Sequence, residues 1–223
     1  MAGTMRVLRS SLLLALLLLP WLPDAARGDV TDPGIVAARE LFYQGVDGDK
    51  RAVREALRQF RQLQGAQPNN PLLQAYIGAC AALMGRDNIN EMNKRTNTSQ
   101  AVREIDAALA ALARLEAEGG GETLTISTIL ETKLVAANAF IHIPSFYNRR
   151  QEGERLLREL RADPRLDFMS PGFQAAVLVA YATLVRKNEV GGNPVPLLRR
   201  AHELDPQGRD GRRAQQMLAG ETE

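Results

Sequence analysis

Residue types that could carry out chemistry are few and scattered in this chain. The two histidines, His142 and His202, fall in different predicted helical hairpins, and no HExxH, HxH or paired-cysteine pattern accompanies them. The ligand spacings typical of zinc sites are therefore missing. Cys80, the one cysteine, lies between two alanines in an apolar stretch, which predicts a buried small hydrophobic residue. We expect no catalytic residues, no metal and no cofactor.

Two further motifs bear on enzyme classes. The glycine run 119–121 lacks the lysine and the GxxxxGK[ST] spacing of a phosphate-binding loop and follows a predicted helix, so it is interpreted as a turn. Most carboxylates have an arginine nearby on the same predicted helix surface, as Glu154 and Arg158 do. Two carboxylates could still meet in space, and a helical hydrolase stays open as an alternative.

The segment 138–150 is the strongest candidate for binding. It combines two aromatics, a histidine, a proline break at Pro144 and twin arginines within a predicted turn between helices. Aromatic residues and arginine commonly anchor protein partners, although Phe146 and Tyr147 could instead fill a packing gap beside Pro144. The candidate partner-binding residues are Asn138, His142, Phe146, Tyr147, Arg149 and Arg150, together with Asn93 and Lys94 of the polar segment 86–98.

The elements that must position these residues are all predicted to be helices. Apolar residues recur every three or four positions, and no sustained run alternates with period two. Four helix starts pair a short polar residue with proline, a combination that caps the first turn: Asp32-Pro33, Asn70-Pro71, Ser170-Pro171 and Asn193-Pro194. The predicted helices are 33–45, 50–65, 71–85, 99–117, 125–141, 149–161, 171–187, 194–204 and 209–219.

The segment 86–98 allows two interpretations. Its four asparagines indicate a long loop, whereas its position allows a helical extension that starts near Ile89. Asn97-Thr98-Ser99 matches a glycosylation acceptor, but we interpret Ser99 as the N-cap of the next helix.

The N-terminus has the pattern of a secretory signal peptide. Arg6 and Arg9 precede an apolar run at 12–19, and Ala26 and Gly28 supply small residues at a cleavage site. That run is too short to span a membrane. Residues 1–28 hold three of the 28 basic and one of the 26 acidic side chains, so residues 29–223 carry 25 of each. A mature chain without net charge gives no electrostatic case for binding nucleic acid.

The order of the helices resembles the tetratricopeptide repeat, in which helical pairs recur about every 34 residues with a proline after the second helix. The residues that carry the resemblance are Ala56, Phe60 and Pro68 in the first pair, Tyr76-Ile77-Gly78 in the second, and Tyr181-Ala182, Ala201 and Pro206 in the fourth. The interval from Pro164 to Pro206 exceeds 34 residues, and glycines 119–121 replace the proline of the second pair. An irregular helical bundle is the alternative.

The resemblance implies an all-α, right-handed solenoid of about four helical hairpins and a C-terminal capping helix, in one domain over residues 29–223. It also implies a non-enzymatic scaffold or adaptor whose groove binds a protein or peptide partner. The signal peptide predicts export, to the periplasm in a bacterium and otherwise by secretion, with no membrane span after cleavage. A helical carrier of a small apolar ligand is a further alternative.

Overall fold

The computed structural model describes residues 32–119, 124–187 and 190–220, and this part of the chain contains helices and no strands. The predicted signal peptide and most of the glycine-rich turn lie outside it. The helices are α1 (Pro33–Val46), α2 (Lys50–Ala66), α3 (Pro71–Arg86), α4 (Glu91–Ala117), α5 (Ile126–His142), α6 (Arg150–Ala162), α7 (Pro171–Arg186), α8 (Pro194–Leu204) and α9 (Arg209–Ala219). Two short 3-10 helices cover Ser145–Tyr147 and Pro164–Phe168. The all-α class is confirmed.

All four helix starts predicted from a polar residue before proline are capped in the structure. Asp32 Oδ1 accepts the backbone N–H of Gly34 at 2.7 Å, and Asn70 Oδ1 accepts that of Leu72 at 3.0 Å. Ser170 and Asn193 cap α7 and α8 in the same way. A side-chain oxygen thus satisfies a donor that the first turn leaves free, while proline there has no N–H to satisfy.

The segment 86–98 is mostly helical, so its interpretation as a long loop is wrong. α4 begins at Glu91 because Asn90 Oδ1 accepts the backbone N–H groups of Met92 and Asn93. Asn90, rather than Ser99, is the N-cap. Within the first turns, the Thr98 hydroxyl donates to the carbonyl of Lys94 at 2.8 Å. This bond lets the threonine remain inside a helix despite its preference for other conformations.

Neighbouring helices pack in pairs, and the pairs contact one another. α1 packs on α2, α3 on α4, α5 on α6 and α7 on α8, while α2–α3, α4–α5, α6–α7 and α8–α9 also touch. Contacts between alternate helices join α1 to α3, α3 to α5 and α7 to α9. α3 therefore lies against α1, α2, α4 and α5, which explains why its apolar residues are buried over most of its length.

Glycine makes the close crossing of α3 and α4 possible. A Cβ atom at Gly78 would lie 2.6 Å from Ile105 Cγ1 and 3.1 Å from the carbonyl oxygen of Ala101. Both distances are shorter than ordinary van der Waals contact, so any side chain at this position would push the helices apart. The glycine after Tyr76 and Ile77 thus has a packing role.

The main core extends from α1 to α7, and a smaller cluster joins α7, α8 and α9. Tyr76 lies at the centre of the main core, stacked on Phe60 at 4.6 Å and edge-on to Phe42 at 5.2 Å between ring centroids. Cys80 is fully buried there, and desolvation raises its pKa to about 12. The prediction of a buried small hydrophobic residue is confirmed.

Candidate functional site

The polar segment 86–98 and the aromatic segment 138–150, which are distant in the sequence, meet in the structure. The Tyr147 hydroxyl donates to the carbonyl oxygen of Arg95 at 3.2 Å and lies 3.0 Å from Ser99 Oγ. Tyr147 belongs to the 3-10 turn between α5 and α6, whereas Arg95 and Ser99 are on the first turns of α4. The polar segment 86–98 and the aromatic segment 138–150 therefore contact each other through Tyr147.

Large apolar side chains are exposed on this surface. Phe146 is 67% exposed, Met92 77% and Ile89 93%. Met92 lies about one helical turn before Arg95, the residue that holds Tyr147, and the Phe146 ring rests on the Tyr147 ring with centroids 4.5 Å apart. We call Ile89, Met92, Phe146 and Arg95 the junction surface. Large apolar side chains that are exposed to solvent often mark sites of protein binding.

The turn that presents Phe146 is held from both sides. Asn148, which follows the 3-10 helix, adopts the left-handed conformation with φ of 55°, a conformation that asparagine tolerates better than most residues. Arg149 Nη2 donates to Asp106 Oδ2 on α4 at 2.5 Å, and its guanidinium lies 5.9 Å from the centre of the Phe140 ring. These contacts fix the turn against α4 and α5, so Phe146 is presented by a structured segment.

The other candidate residues have different surroundings. Arg150 Nε lies 3.7 Å from Glu154 Oε1, and Lys94 Nζ donates to Glu91 Oε1 at 3.1 Å. Asn93 is exposed one residue after Met92. The two charged side chains therefore have carboxylate neighbours within their own helices, and the turn itself is held by Tyr147 and Arg149.

Asn138 and His142 contact each other at the end of α5. His142 Nδ1 is 2.7 Å from the carbonyl oxygen of Asn138, as expected for a residue that caps the last turn of α5. Desolvation lowers the pKa of His142, the hydrogen bond with Asn138 opposes that shift, and the positive charges of Lys187, Arg213 and Arg150 lower the pKa further. His142 itself is exposed at the end of α5.

The structure also contains a buried polar cluster that the sequence did not reveal. Glu131 Oε1 accepts a hydrogen bond from the Tyr76 hydroxyl at 2.5 Å and lies 2.9 Å from Arg39 Nε. The cluster links α1, α3 and α5, and Glu131 is only 6% exposed. A signal for it existed: Glu131 stands between Leu130 and Leu134 in a strongly apolar helix.

Burial dominates the electrostatics of this cluster. Desolvation raises the pKa of Glu131, while the guanidinium of Arg39 opposes that rise. Desolvation and the nearby Glu131 carboxylate also raise the pKa of Tyr43, to about 12, and that of Tyr76 well above its ordinary value. The tyrosines therefore remain neutral hydrogen-bond donors near neutral pH.

Two shallow surface cavities lie elsewhere. One of about 350 Å³ lies between the α2–α3 connection and α4, with Asn69, Gln74 and Arg114 among its lining residues. The other, of about 310 Å³, lies between α6, α7 and α8, where the Arg161 guanidinium is 4.6 Å from the centre of the Tyr181 ring. Both are open surface features of mixed polarity.

The described residues contain no group of three or more histidine, cysteine, aspartate or glutamate side chains placed to hold a metal ion. No helix in the same part of the chain combines the length and apolar character needed to cross a membrane. No family model matches the chain, and no match was found among curated proteins or among solved structures.

Proposed function

We propose that this protein is an exported, non-enzymatic adaptor that binds a protein partner through the junction surface. The scaffold would be a right-handed solenoid of four tetratricopeptide-like hairpins, α1–α2, α3–α4, α5–α6 and α7–α8, capped by α9. The contacts of α1 with α3 and of α3 with α5 support stacking of the first three hairpins, and that of α7 with α9 supports the cap, because stacked hairpins bring alternate helices side by side.

The observation that carries the proposal is the exposure of Phe146 on a turn held by hydrogen bonds. A phenylalanine that is exposed to water does not contribute the stabilisation of about 1.5–3 kcal/mol that its burial would give. Tyr147 and Arg149 nevertheless fix the turn that presents it. Such an ordered aromatic loses little conformational entropy when a partner covers it, which is a property of residues that dominate interface energies.

The charges that follow Met92 on α4 indicate the chemistry of the partner. Arg95 and Arg103 are exposed one and three turns beyond Met92, whereas Lys94 pairs with Glu91. An apolar anchor with neighbouring acidic side chains would complement this surface, since opposite charges steer association and fix orientation. We therefore infer a partner segment that is apolar at its centre and acidic at its flanks.

The binding test compares two phenylalanines of similar exposure. The double variant Phe146→Ala with Met92→Ala should weaken partner binding about 30-fold, equivalent to about 2 kcal/mol, with unchanged circular dichroism. Phe168, which is 84% exposed on the other 3-10 helix, provides the control Phe168→Ala. The partner is first captured by a photo-crosslinker placed at Phe146, and affinity is then measured by calorimetry.

Two results would overturn this assignment. One is equal affinity of the double variant and the Phe168→Ala control for the captured partner. The other is capture of the same partner from position 168 as efficiently as from position 146. Export is checked separately: the mass of the protein recovered from outside the cytoplasm should correspond to a chain that starts at Asp29.

A further inference from the structure

The C-terminal end of α1 holds an arginine from the other end of the chain. The guanidinium of Arg209, the first residue of α9, lies 4.7 Å from the centre of the Tyr43 ring. Its Nη2 donates to Asp47 Oδ1 at 3.0 Å. Tyr43 is in the last turn of α1, and Asp47 is the residue that ends the helix. An aromatic face and a carboxylate thus flank one cation.

Three properties of this position favour a guanidinium. The face of an aromatic ring attracts cations, and arginine stacks on it more often than lysine does. The carboxylate of Asp47 supplies a charged acceptor, and the C-terminal end of a helix carries partial negative charge. A second guanidinium lies at the same helix end, because Arg86 Nη2 donates to the carbonyl of Gly45 at 3.0 Å.

Arg209 is an imperfect occupant of this position. Its Nε is buried and has no hydrogen-bond acceptor among the described residues. Its neighbour Asp210 is also largely buried; desolvation raises the pKa of that carboxyl, and Arg209, whose Nη1 lies 3.7 Å from Asp210 Oδ1, opposes the rise. A buried donor without an acceptor costs free energy. An arginine with an acceptor for its Nε would avoid that cost.

The rest of α9 is attached elsewhere. Ala214 is buried in the apolar cluster that α9 shares with α7 and α8, and Met217 packs against it. That cluster is separate from the main core, to which α1 belongs. Arg209 can therefore leave Tyr43 and Asp47 while α9 remains packed on its neighbours.

We propose that Tyr43 and Asp47 form a guanidinium-binding site that Arg209 occupies within the same chain, and that an arginine-bearing segment of a protein partner displaces it. The occupant in the partner is an arginine flanked by residues that provide an acceptor for its Nε. This site is distinct from the junction surface, so it stands whether or not that surface binds a partner.

The first experiment empties the site and refills it. The Arg209→Ala variant should bind N-acetyl-arginine amide about tenfold more tightly than the unmodified protein does, because the site is no longer occupied. Binding is followed by NMR shifts of Tyr43 and by thermal stabilisation. N-acetyl-lysine amide should bind less tightly, and adding Asp47→Asn to the variant should remove the arginine effect.

The second experiment tests displacement in the unmodified protein. A peptide that copies residues 205–213 is added in excess, with its Arg209→Lys version as the matched control. The arginine peptide should accelerate hydrogen exchange at Arg209 Nε, which is buried when the site is occupied from within, and the lysine peptide should do so less.

Two findings would refute the proposal. Equal binding of N-acetyl-arginine amide to the variant and to the unmodified protein would show that no guanidinium site exists. Unchanged exchange at Arg209 Nε with excess arginine peptide would show that the contact within the chain is not displaceable. If Arg209→Ala lowers the helical content, the comparison is repeated with Arg209→Met, which preserves the apolar stem over Tyr43.

Discussion

Two ion pairs connect α1 to distant parts of the chain, and they differ in depth. Arg39 pairs with Glu131 of α5, and these side chains are 24% and 8% exposed. Asp47 pairs with Arg209 of α9, and these side chains are 65% and 29% exposed. Both pairs lie against a tyrosine, Tyr76 in the first and Tyr43 in the second.

The difference in depth assigns the two pairs different roles. Removing one partner of a buried pair leaves a desolvated charge, so the Arg39–Glu131 pair holds α1, α3 and α5 in one arrangement. In the Arg209–Asp47 pair the carboxylate is open to water, so Asp47 can exchange Arg209 for water or for another cation at little cost. The first pair is thus suited to fixing the fold, and the second to exchange.

The largest expected effect tests the buried pair. Glu131→Ala should lower the free energy of unfolding by roughly 3 kcal/mol, because Arg39 loses its carboxylate and the Tyr76 hydroxyl loses its acceptor. Denaturant unfolding measures the change. Glu159→Ala is the control, since Glu159 pairs with Arg155 on an exposed helix surface, and it should change stability by no more than about 0.5 kcal/mol. Similar losses in both variants would contradict the distinction.

The second prediction concerns pH. Burial raises the pKa of Glu131 above its ordinary value of 4.5, so the folded protein binds this proton more tightly than the unfolded chain does. Stability from this group is therefore greatest below pH 4.5 and is lost as the pH rises through the folded-state pKa. The loss is about 1.4 kcal/mol for each pH unit that separates the pKa of the folded protein from that of the unfolded chain.

Glu131→Gln isolates this contribution. As the pH rises above 4.5, the unmodified protein should lose stability relative to the variant. Other carboxyl groups, including Asp210, contribute equally to both proteins and cancel in the comparison. A difference that is constant with pH, measured by denaturant unfolding at several pH values, would mean that Glu131 titrates alike in both states.

The smallest effect tests the exposed pair. A double-mutant cycle of Arg209→Ala and Asp47→Ala should give a coupling energy of about 0.2–1 kcal/mol at low salt. It should fall towards zero in 1 M salt, where the screening length is about 3 Å. The same cycle on Arg39 and Glu131 should give a larger coupling that salt changes little. Equal salt sensitivity of the two couplings would remove the contrast.

Much of the secondary structure could be predicted from local signals. A polar residue before proline marked the starts of α1, α3, α7 and α8 because capping involves only residues within one turn. The start of α4 could not be predicted in this way, because a segment with four asparagines is typical of a loop. In the structure Asn90 caps the helix, and Thr96 and Thr98 donate hydrogen bonds to backbone carbonyls one turn earlier.

The candidate site was only partly predictable. The aromatic segment was recognised by composition, and Phe146 is indeed exposed, but Tyr147 and Arg149 contact α4, which is distant in sequence. His142 contacts the carbonyl of Asn138 within its own helix, a local interaction that proximity along the chain allows. Glu131 was missed because its partners come from α1 and α3.

Local signals in the sequence indicate where α1, α3, α7 and α8 begin and that the chain is helical, since these properties depend on neighbours within a few positions. The contacts of Tyr147 with α4, of Glu131 with Arg39 and Tyr76, and of Arg209 with Asp47 are visible only in the folded protein. These contacts join residues 48 to 162 positions apart. They depend on how packed helices cross, and spacing along the chain does not encode that directly.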